Sequence, residues 1–375
     1  MDERLCWLGL SLTPGIGTRR LRRLLDAFQG PDAIWSASRG DLLAAGLDAT
    51  TTDNLLRSRA SLDLESVFKR LDTLGARLIV QTDSDYPAAM RPLPDAPPVL
   101  YARGALIPAD EKAVAIVGTR KATGYGRDVA RRLAGELASA GVTIVSGLAH
   151  GIDAIAHQAA MEAGGRTIAV LGCGIDQVYP RDHAALARQI SEHGAVLTEF
   201  PLGSQPEGRH FPRRNRIISG ISLGVIIVEA PEKSGALITA AFALEQGREI
   251  YAVPGSIFSA ASTGCHRLIQ DGARIVVEVN DILDDLSITS EQIMTRAAVQ
   301  ETLPLTAAQV AVLRAFGSEP VHVDVVVRTV GMAASAVISA LTSLELQGYV
   351  EQDRASLYRL NYAAQHLLRE LDWHQ

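Results

Sequence analysis

The sequence predicts an α/β protein whose central part is a Rossmann-like, doubly wound and mostly parallel sheet. Short aliphatic runs recur through residues 110–287 without polar alternation, which is typical of strands buried on both faces of a parallel sheet. Amphipathic segments such as 126–140 and 234–246 separate these runs, as strand–helix repeats require. The runs are AVAIVG (113–118), VTIVSG (142–147), TIAVLG (167–172), AVLTEF (195–200), GVIIVEA (224–230), IYAVPG (250–255) and RIVVEV (274–279).

The segment before this sheet, residues 1–75, is predicted to form a helical, SAM-like domain. Leu21, Leu24 and Phe28 recur at helical spacing. The turn TPGIG (13–17) precedes RRLRRLL and resembles a helix-hairpin-helix turn, in which glycine N–H groups approach a phosphate. Ten Lys or Arg residues balance ten Asp or Glu residues in this segment. A DNA contact through the local arginines and a purely structural role both remain open.

Three further segments complete the predicted domain organisation. Residues 76–109 contain one short strand, ARLIV, and then a proline-rich stretch, and are predicted to be an extended connector that packs on the next domain. The polar residues 288–303 are predicted to be a linker. Residues 304–375 contain three helical segments followed by two strand-like pieces, which is the order of a winged helix. The third helical segment, AASAVISALTSLELQ, has no Lys or Arg, so protein contact or a structural role is favoured over duplex reading.

Composition restricts the classes of function. The chain has 375 residues, a net charge of −6 and a pI near 5.9, which argues against coating of duplex DNA through bulk charge but allows a local basic patch. Three scattered cysteines without a CxxC pair favour a reduced, cytoplasmic setting. We expect no signal peptide and no membrane contact, since the N-terminus begins acidic and no run reaches the ~18 apolar residues of a membrane helix.

Two glycine-containing turns are predicted to hold anions, because ligands of an open α/β sheet bind beyond the carboxyl ends of its strands. GTRKATGYG (118–126) leads into a helix N-terminus, where free N–H groups can hold a phosphate, and Arg120 and Lys121 add positive charge. In EAPEKSG, Ser234 can cap the next helix while Gly235 permits close approach. The alternatives are a tight turn with solvated charges and an ordinary capped helix.

The segment SGLAHGIDAIAHQAA (146–160) follows the second predicted strand. Gly147 lets the backbone approach a ligand, and both it and His150 are predicted to contact nucleic acid. His150, Asp153 and His157 fall at spacings of three and four, which a helix would place on one face, as a metal site requires. A capping aspartate with hydrogen-bonded histidines is the favoured interpretation, so no metal is predicted.

The most informative segment is RHFPRRNRIISG (209–220), which concentrates arginines in an acidic chain. Pro212 is suited to the first turn of a helix, so the charges lie at a helix N-terminus, which itself favours anions. An aromatic residue flanked by arginines is typical of single-strand binding, since any base stacks on the ring and arginine grips phosphate. The alternative is a first turn paired with Glu199 and Glu207. The predicted contacts are Phe211, Arg213, Arg214, Asn215 and Arg216.

Motifs of catalysis and cofactor binding are not evident in the sequence. The first turn is not GxGxxG, and neither a P-loop nor a GxSxG elbow occurs, so no cofactor is predicted. Glu199 and Glu229 end strand candidates that are expected to be adjacent, and a carboxylate pair there would allow hydrolysis. The same two residues are equally suited to pairing with the arginines. A protein that is not an enzyme is therefore favoured.

These motifs together resemble the DNA-processing protein A family, also called DprA or Smf. GTRKATGYG, SGLAHGIDAIAH, GCGIDQVYP, FPRRNRIISG and EAPEKSGALITAAFALEQGREIYAVPG occur in the family's order and spacing. The resemblance implies a homodimer through the Rossmann-like domain that binds and protects single-stranded DNA and loads RecA during natural transformation. It places DNA contacts on Arg120, Phe211, Arg214, Asn215, Arg216, Ser234 and Gly235, with Arg213 as an auxiliary contact.

Two rival functions remain open at this stage. A Rossmann-type nucleotide-binding or nucleotide-hydrolysing enzyme would use the same glycine turns and arginines to hold a mononucleotide, with Glu199 or Glu229 acting on it. A transcription regulator would read duplex DNA through the winged helix, although its third helical segment lacks the Arg or Lys side chains suited to that task.

Overall fold

The computed structural model describes residues 2–288, 305–317, 320–354 and 356–360, together with Ala364 and Leu368. The chain divides into two compact units, residues 1–292 and residues 293–375. Apart from Ile288, the predicted linker 288–303 lies outside the described residues.

Nine strands of the first unit form one sheet. They are β1 (Ala76–Val80), β2 (Val99–Gly104), β3 (Ala113–Val117), β4 (Thr143–Ser146), β5 (Thr167–Val170), β6 (Gly194–Thr198), β7 (Gly224–Ile227), β8 (Glu249–Ala252) and β9 (Arg274–Ile275). Their order across the sheet is β1-β2-β6-β5-β4-β3-β7-β8-β9. Strands β3 to β9 pair in parallel. All seven aliphatic runs form strands, which confirms the doubly wound, mostly parallel sheet.

The proline-rich connector contributes two strands to this sheet rather than one. β1 pairs with β2, and β2 pairs with β6, both antiparallel. The second strand, VLYARG, is not recognised from sequence because prolines precede it and one of its neighbours in the sheet, β6, is distant in the chain. The described part of residues 76–109 is therefore an extension of the sheet as well as a covering segment.

Thirteen described helices accompany the sheet in the first unit. Those before the sheet are α1 (Glu3–Leu12), α2 (Thr18–Ala27), α3 (Pro31–Ser36), α4 (Arg39–Ala44), α5 (Ala49–Ser61) and α6 (Leu64–Thr73). Those that connect or follow its parallel strands are α7 (Gly124–Ser139), α8 (Ile152–Glu162), α9 (Ala184–His193), α10 (His210–Gly220), α11 (Gly235–Glu245), α12 (Thr263–Gln270) and α13 (Val279–Asp285).

The sheet is covered on both faces, which explains why its strands lack polar alternation. Ile116 of β3 lies in one apolar cluster with Leu133 of α7, whereas the neighbouring Ala115 lies in another with Ile217 of α10. A third cluster joins Trp7 of α1 to Tyr101 of β2 and continues to β5 and α9, so the N-terminal helices share their core with the sheet. The three cysteines are free and buried.

The second unit has the winged-helix arrangement expected from the sequence. Its helices are α14 (Ala307–Arg314), α15 (Val323–Val330) and α16 (Ala334–Leu346), and its strands are β10 (Val321–His322), β11 (Val350–Arg354) and β12 (Leu357–Leu360). The strands form an antiparallel sheet in the order β10-β12-β11.

In the described parts of both units, no single helix has the length and apolar character needed to cross a membrane. Helices α15 and α16 meet that test only when taken as a pair, and they are bent by 116° relative to one another.

Candidate functional site

A cavity of about 550 Å³ opens at the carboxyl edge of the sheet, where β3 and β7 lie side by side. The chain runs outward from β3 through β4, β5 and β6 on one side, whereas β7, β8 and β9 lie on the other. Such a reversal of strand order is where open α/β sheets place their ligands. The residues around the cavity include Gly118, Thr119, Arg120, Ala149, Asp153, Phe211, Arg214, Asn215, Lys233, Ser234 and Gly235.

The structure brings most of the sequence-predicted site residues to this place. Arg120, Phe211, Arg214, Asn215, Ser234 and Gly235 line the large cavity. Gly147 and His150 line a smaller cavity of about 30 Å³, which shares Arg120, Phe211 and Arg214 with the large one. Lys121, Arg213 and Arg216 are not among the residues that line either cavity.

Arg214 is buried rather than presented to solvent, with only 5% of its surface exposed. Its Nη1 donates hydrogen bonds to the carbonyl oxygens of Gly147, at 2.5 Å, and Val170, and so joins the carboxyl ends of β4 and β5. Its Nε donates to Asn215 Oδ1 at 3.2 Å. Burial lowers the pKa of Arg214 to about 10, and the nearby Asp153 carboxylate opposes that change.

Asp153 is a buried carboxyl group close enough to Arg214 for their charges to affect one another. Its Oδ2 accepts hydrogen bonds from the backbone N–H groups of Gly147, at 3.1 Å, and Ala149, at 3.3 Å. Burial raises the pKa of this carboxyl, while Arg214 and the two N–H donors act in the opposite direction. The pair therefore fixes the shape of the glycine turn after β4.

Glu199 holds the two other arginines of the basic segment. Its Oε2 lies 2.7 Å from Arg216 Nη2 and 2.7 Å from Arg213 Nη2. Arg216 is buried and also donates to the carbonyl oxygen of Asp95. Arg213 keeps 55% of its side chain exposed. Arg213 and Arg216 are therefore both paired with an acidic neighbour, as the alternative interpretation expected. Their contact with phosphate stays a prediction.

Phe211 is half-buried between the two cavities. The Arg120 guanidinium lies 5.5 Å from the centroid of its ring, and the Tyr179 ring lies 5.5 Å away at 46°. A Cβ on Gly172, two residues after the end of β5, would come within 3.0 Å of Phe211 Cδ1, so this glycine leaves room for the ring. Tyr179, 42% exposed, is a site residue that sequence reasoning missed, although it lies in the GCGIDQVYP segment.

The N-terminus of α11 forms the opposite wall of the large cavity. Ser234 Oγ accepts a hydrogen bond from Ala236 N–H at 3.3 Å, and a Cβ on Gly235 would meet open space. Lys233 is exposed and lines the cavity beside them. A helix N-terminus next to a lysine is suited to holding an anion. Lys233 was not selected from the sequence, although it immediately precedes the predicted Ser-Gly cradle.

The predicted pair of Glu199 and Glu229 does not form, because β6 and β7 are not neighbours. Strands β5, β4 and β3 separate them in the sheet. Glu229 is buried and accepts hydrogen bonds from Thr123 N–H at 2.9 Å and from Thr123 Oγ1 at 2.5 Å. The expectation of adjacent strand ends was therefore wrong, and Glu229 instead holds the turn that begins α7.

Replacing Gly126 with alanine tests this role of Glu229. The new Cβ would overlap the Glu229 carboxylate, which is buried and fixed by Thr123, so we expect a loss of about 1–3 kcal/mol of unfolding free energy. Gly135→Ala on the same helix is the control, since its Cβ meets nothing closer than 3.9 Å and alanine favours a helix interior. Thermal unfolding measures the melting temperature of both variants. If Gly126→Ala lowered it no more than Gly135→Ala does, Glu229 would not have the proposed role of holding this turn.

The three residues considered as an alternative metal site do not converge. His157 is buried, and its Nδ1 lies 2.6 Å from Thr167 Oγ1. Burial lowers the pKa of His157 to about 3, which keeps it neutral. Asp153 faces Arg214 and its own turn, whereas His150 is exposed. His157 is hydrogen-bonded, as the favoured interpretation expected, but Asp153 does not cap the helix, because the N-cap is Gly151 and Asp153 accepts instead from the loop before it.

The arginines that follow the TPGIG turn are partly engaged with the protein itself. Arg20 donates to the carbonyl oxygen of Gly15 at 2.8 Å and pairs with Asp48 at 3.0 Å. Arg22 donates to the carbonyl oxygen of Leu93 at 3.3 Å. These contacts favour the structural interpretation for Arg20 and Arg22.

Family models match most of the chain. The model described as DNA recombination-mediator protein A matches residues 77–287, and the DprA winged helix domain matches residues 296–354. Protein Smf of Synechocystis is 33% identical over 96% of this chain and 99% of its own length. The DNA processing protein DprA of Bacillus subtilis is 40% identical over 67% of this chain and 88% of its own length.

Two solved structures have the same fold. The X-ray structure of DNA processing protein A from Streptococcus pneumoniae is 35% identical, with a TM-score of 0.65 over 74% of this chain and 95% of that one. DNA processing protein A from Helicobacter pylori is 30% identical, with a TM-score of 0.51 over 56% of this chain and 95% of that one. The latter was described for its mode of binding single-stranded DNA.

Proposed function

Because the chain belongs to the DNA recombination-mediator protein A family, we propose that it binds single-stranded DNA in the cavity between β3 and β7. The observation that carries the proposal is the combination of Arg120, Lys233 and Phe211 around one cavity at the carboxyl edge of the sheet. Two exposed cations and an aromatic ring at helix N-termini are suited to a polymer of phosphates and bases.

The cavity offers separate places for phosphate and base. Arg120 and Lys233 are exposed and face it from the turns after β3 and β7, so they are suited to phosphate oxygens, assisted by the N–H groups that begin α11. Phe211, with Arg120 over its ring and Tyr179 beside it, offers a surface for a base. A mononucleotide would use the same groups, but a polymer also reaches the adjoining small cavity with His150 and Tyr179.

The buried polar residues of α10 have a different place in the proposal. Arg214 and Asn215 line the cavity but are mainly engaged with the protein, so they act as positioning residues that fix the turns after β4 and β5. Arg216 acts more remotely, by holding Glu199. Arg213 shares Glu199 with Arg216 and remains largely exposed, which leaves it able to turn to phosphate.

The remaining parts of the proposal concern partners and setting. Loading of RecA, protection of incoming DNA during natural transformation and a cytoplasmic location are supported by the family resemblance. A homodimer through the Rossmann-like domain has an additional support, since Ile257 and Phe258, which follow β8, are 81% and 93% exposed and Leu244 of α11 is 72% exposed. Exposed apolar side chains of this size are common at protein–protein interfaces.

We propose that the protein is not an enzyme. Glu199 is paired with two arginines, and Glu229 is buried against Thr123, so neither is free to act as a base on a bound nucleotide. If the protein hydrolysed nucleotides instead, it would turn over at least one nucleotide, and Glu229→Gln would abolish that turnover. Incubation with a nucleotide panel followed by product chromatography separates the two proposals.

Titration of labelled oligo-dT and of a duplex of equal length, each at two salt concentrations, tests the main proposal. We expect preference for the single strand, with log affinity falling by about 0.7 per neutralised phosphate for each log unit of salt. Fluorescence anisotropy measures both binding curves. Equal affinity for the two DNA forms, or an affinity for oligo-dT that does not change with salt, would argue against phosphate-based single-strand binding.

A further inference from the structure

Two loops at the carboxyl edge of the sheet bring two histidines and an aspartate together. His150 lies in the loop after β4, whereas Asp182 and His183 lie in the one-turn 3-10 helix Arg181–His183, between β5 and α9. One ligand atom from each of the three lies within 4.8 Å of those of the other two. The His150 and His183 rings meet edge to face with centroids 4.7 Å apart, and His150 Nε2 is 3.8 Å from Asp182 Oδ1.

The His183 ring is already oriented by the protein. Its Nδ1 lies 2.9 Å from the carbonyl oxygen of Leu148, which accepts a hydrogen bond from that nitrogen when it carries the proton. The Nε2 lone pair is then free to act as a ligand, and a backbone carbonyl in this position is a usual partner of a metal-binding imidazole. Leu148 itself is fully buried and has a φ of +58°, a left-handed conformation that is unusual for a bulky residue.

We propose that His150, Asp182 and His183 bind one divalent transition-metal ion, with Zn²⁺ as the best match. Two imidazoles and one carboxylate are a ligand set that Zn²⁺ accepts, whereas Mg²⁺ and Ca²⁺ prefer oxygen ligands throughout. His150 and Asp182 are 50% and 68% exposed, so water can reach the site and complete the coordination shell.

Nearby positive charge makes the choice of ion more specific. Arg120 and Arg214 line the same small cavity as His150. Arg214 lies near the buried Asp153, and the Arg120 guanidinium lies over the Phe211 ring. The nitrogens of the two imidazoles therefore stay available to a metal ion. Affinity here must come from nitrogen donation more than from net negative charge, which favours Zn²⁺, Ni²⁺ or Cu²⁺ over Mg²⁺.

A bound ion would connect the loop after β4 to the segment after β5. Both border the small cavity that Phe211 and Tyr179 also line, so the ion would stiffen one wall of the site already described. The binding of metal by these three residues does not depend on the binding of DNA, and its test needs no nucleic acid.

Competition between the full chain and a chromophoric chelator for Zn²⁺ tests the proposal. We expect one Zn²⁺ per chain, with affinity at least about tenfold weaker in His150→Ala and in His183→Ala. His193→Ala is the control, since this histidine is also exposed but lies in α9, where its Nδ1 bonds to the carbonyl oxygen of Gln189. The three cysteines are buried in the folded chain, so circular dichroism must show that each variant is folded.

Two measurements make the outcome decisive. Co²⁺ added to the wild-type chain should give a visible absorption spectrum that is lost in His150→Ala and kept in His193→Ala, and Mg²⁺ in excess should not displace Zn²⁺. Unchanged Zn²⁺ affinity in both His150→Ala and His183→Ala would overturn the proposal, as would a folded wild-type chain that takes up no Zn²⁺.

Discussion

Arg214→Met is expected to lower the unfolding free energy of the first unit by about 3–5 kcal/mol, because it leaves two buried carbonyl groups without their donor and removes a positive charge near the buried Asp153 carboxyl. Arg214 donates to the carbonyl oxygens of Gly147 and Val170, and its charge compensates that of Asp153. Methionine has a similar length but no donor, so both carbonyls would lose their partner, and the Asp153 carboxylate would keep its two N–H donors but lose the nearby positive charge. Thermal unfolding should show a fall in melting temperature on the order of 10 °C.

A double-mutant cycle with Asp153→Asn identifies the cause. Asparagine keeps an oxygen that accepts from Gly147 N–H and Ala149 N–H but removes the charge left unpaired by Arg214→Met. We expect the double variant to lose clearly less unfolding free energy than the two single variants lose in total. Strict additivity would show that Arg214 and Asp153 do not stabilise one another. Arg188→Met, at an arginine whose side chain is 78% exposed, should change stability by about 0.5 kcal/mol or less.

The burial of Arg214 also changes how loss of DNA binding is interpreted. Reversal of Arg214 and Arg216 to glutamate would disturb the turns after β4 and β5, and it would oppose Glu199 with a like charge. A loss of binding in that variant would therefore not distinguish a direct contact from a damaged site. The exposed cations of the cavity provide the cleaner experiment.

Arg120→Ala combined with Lys233→Ala is expected to weaken oligo-dT binding by tenfold or more while leaving the melting temperature nearly unchanged. Both side chains are exposed, and both line the large cavity. If each neutralises one phosphate, the slope of log affinity against log salt should become shallower by about 1.4, which is twice ~0.7 per contact. Anisotropy titrations at several salt concentrations measure affinity and slope together.

Lys112→Ala combined with Arg188→Ala is the matched control for that pair. It removes the same types of charge, but Lys112 immediately precedes β3 at the opposite edge of the sheet, and Arg188 lies in α9. We expect a small change in affinity and an unchanged salt slope. If the control weakened binding as much as Arg120→Ala with Lys233→Ala, general charge rather than the cavity would explain the affinity.

The parallel sheet was predictable from sequence because its strands are covered on both faces. Strand β3, AVAIV, contributes Ala115 to one apolar cluster and Ile116 to another, and that double burial produces an unalternating run. The strand VLYARG was missed because its pairing with β6 is antiparallel and joins residues almost a hundred positions apart in the chain. Helical periodicity showed which face of the N-terminal helices is apolar, but not that Trp7 would pack near Tyr101.

The location of the site was predictable from sequence, but the burial and the hydrogen-bond partners of its side chains were not. The turns that carry Arg120 and Ser234 follow strand ends, and parallel strand ends meet at one edge. The burial of Arg214 and Arg216 depends on Gly147, Val170, Asp95 and Glu199, which only the folded chain brings near. The strand order, likewise absent from the sequence pattern, separates Glu199 from Glu229.

The antiparallel pairing of β2 with β6 has a consequence for solubility. A parallel sheet that ended at β6 would expose a row of unpaired backbone N–H and C=O groups, which is a template for strand addition by another molecule. The antiparallel pair of β1 and β2 occupies that row, and at the opposite edge β9 is only two residues long. A fragment that begins at residue 110 would lose both strands, so a soluble fragment that carries the cavity beside β3 and β7 should begin no later than β1.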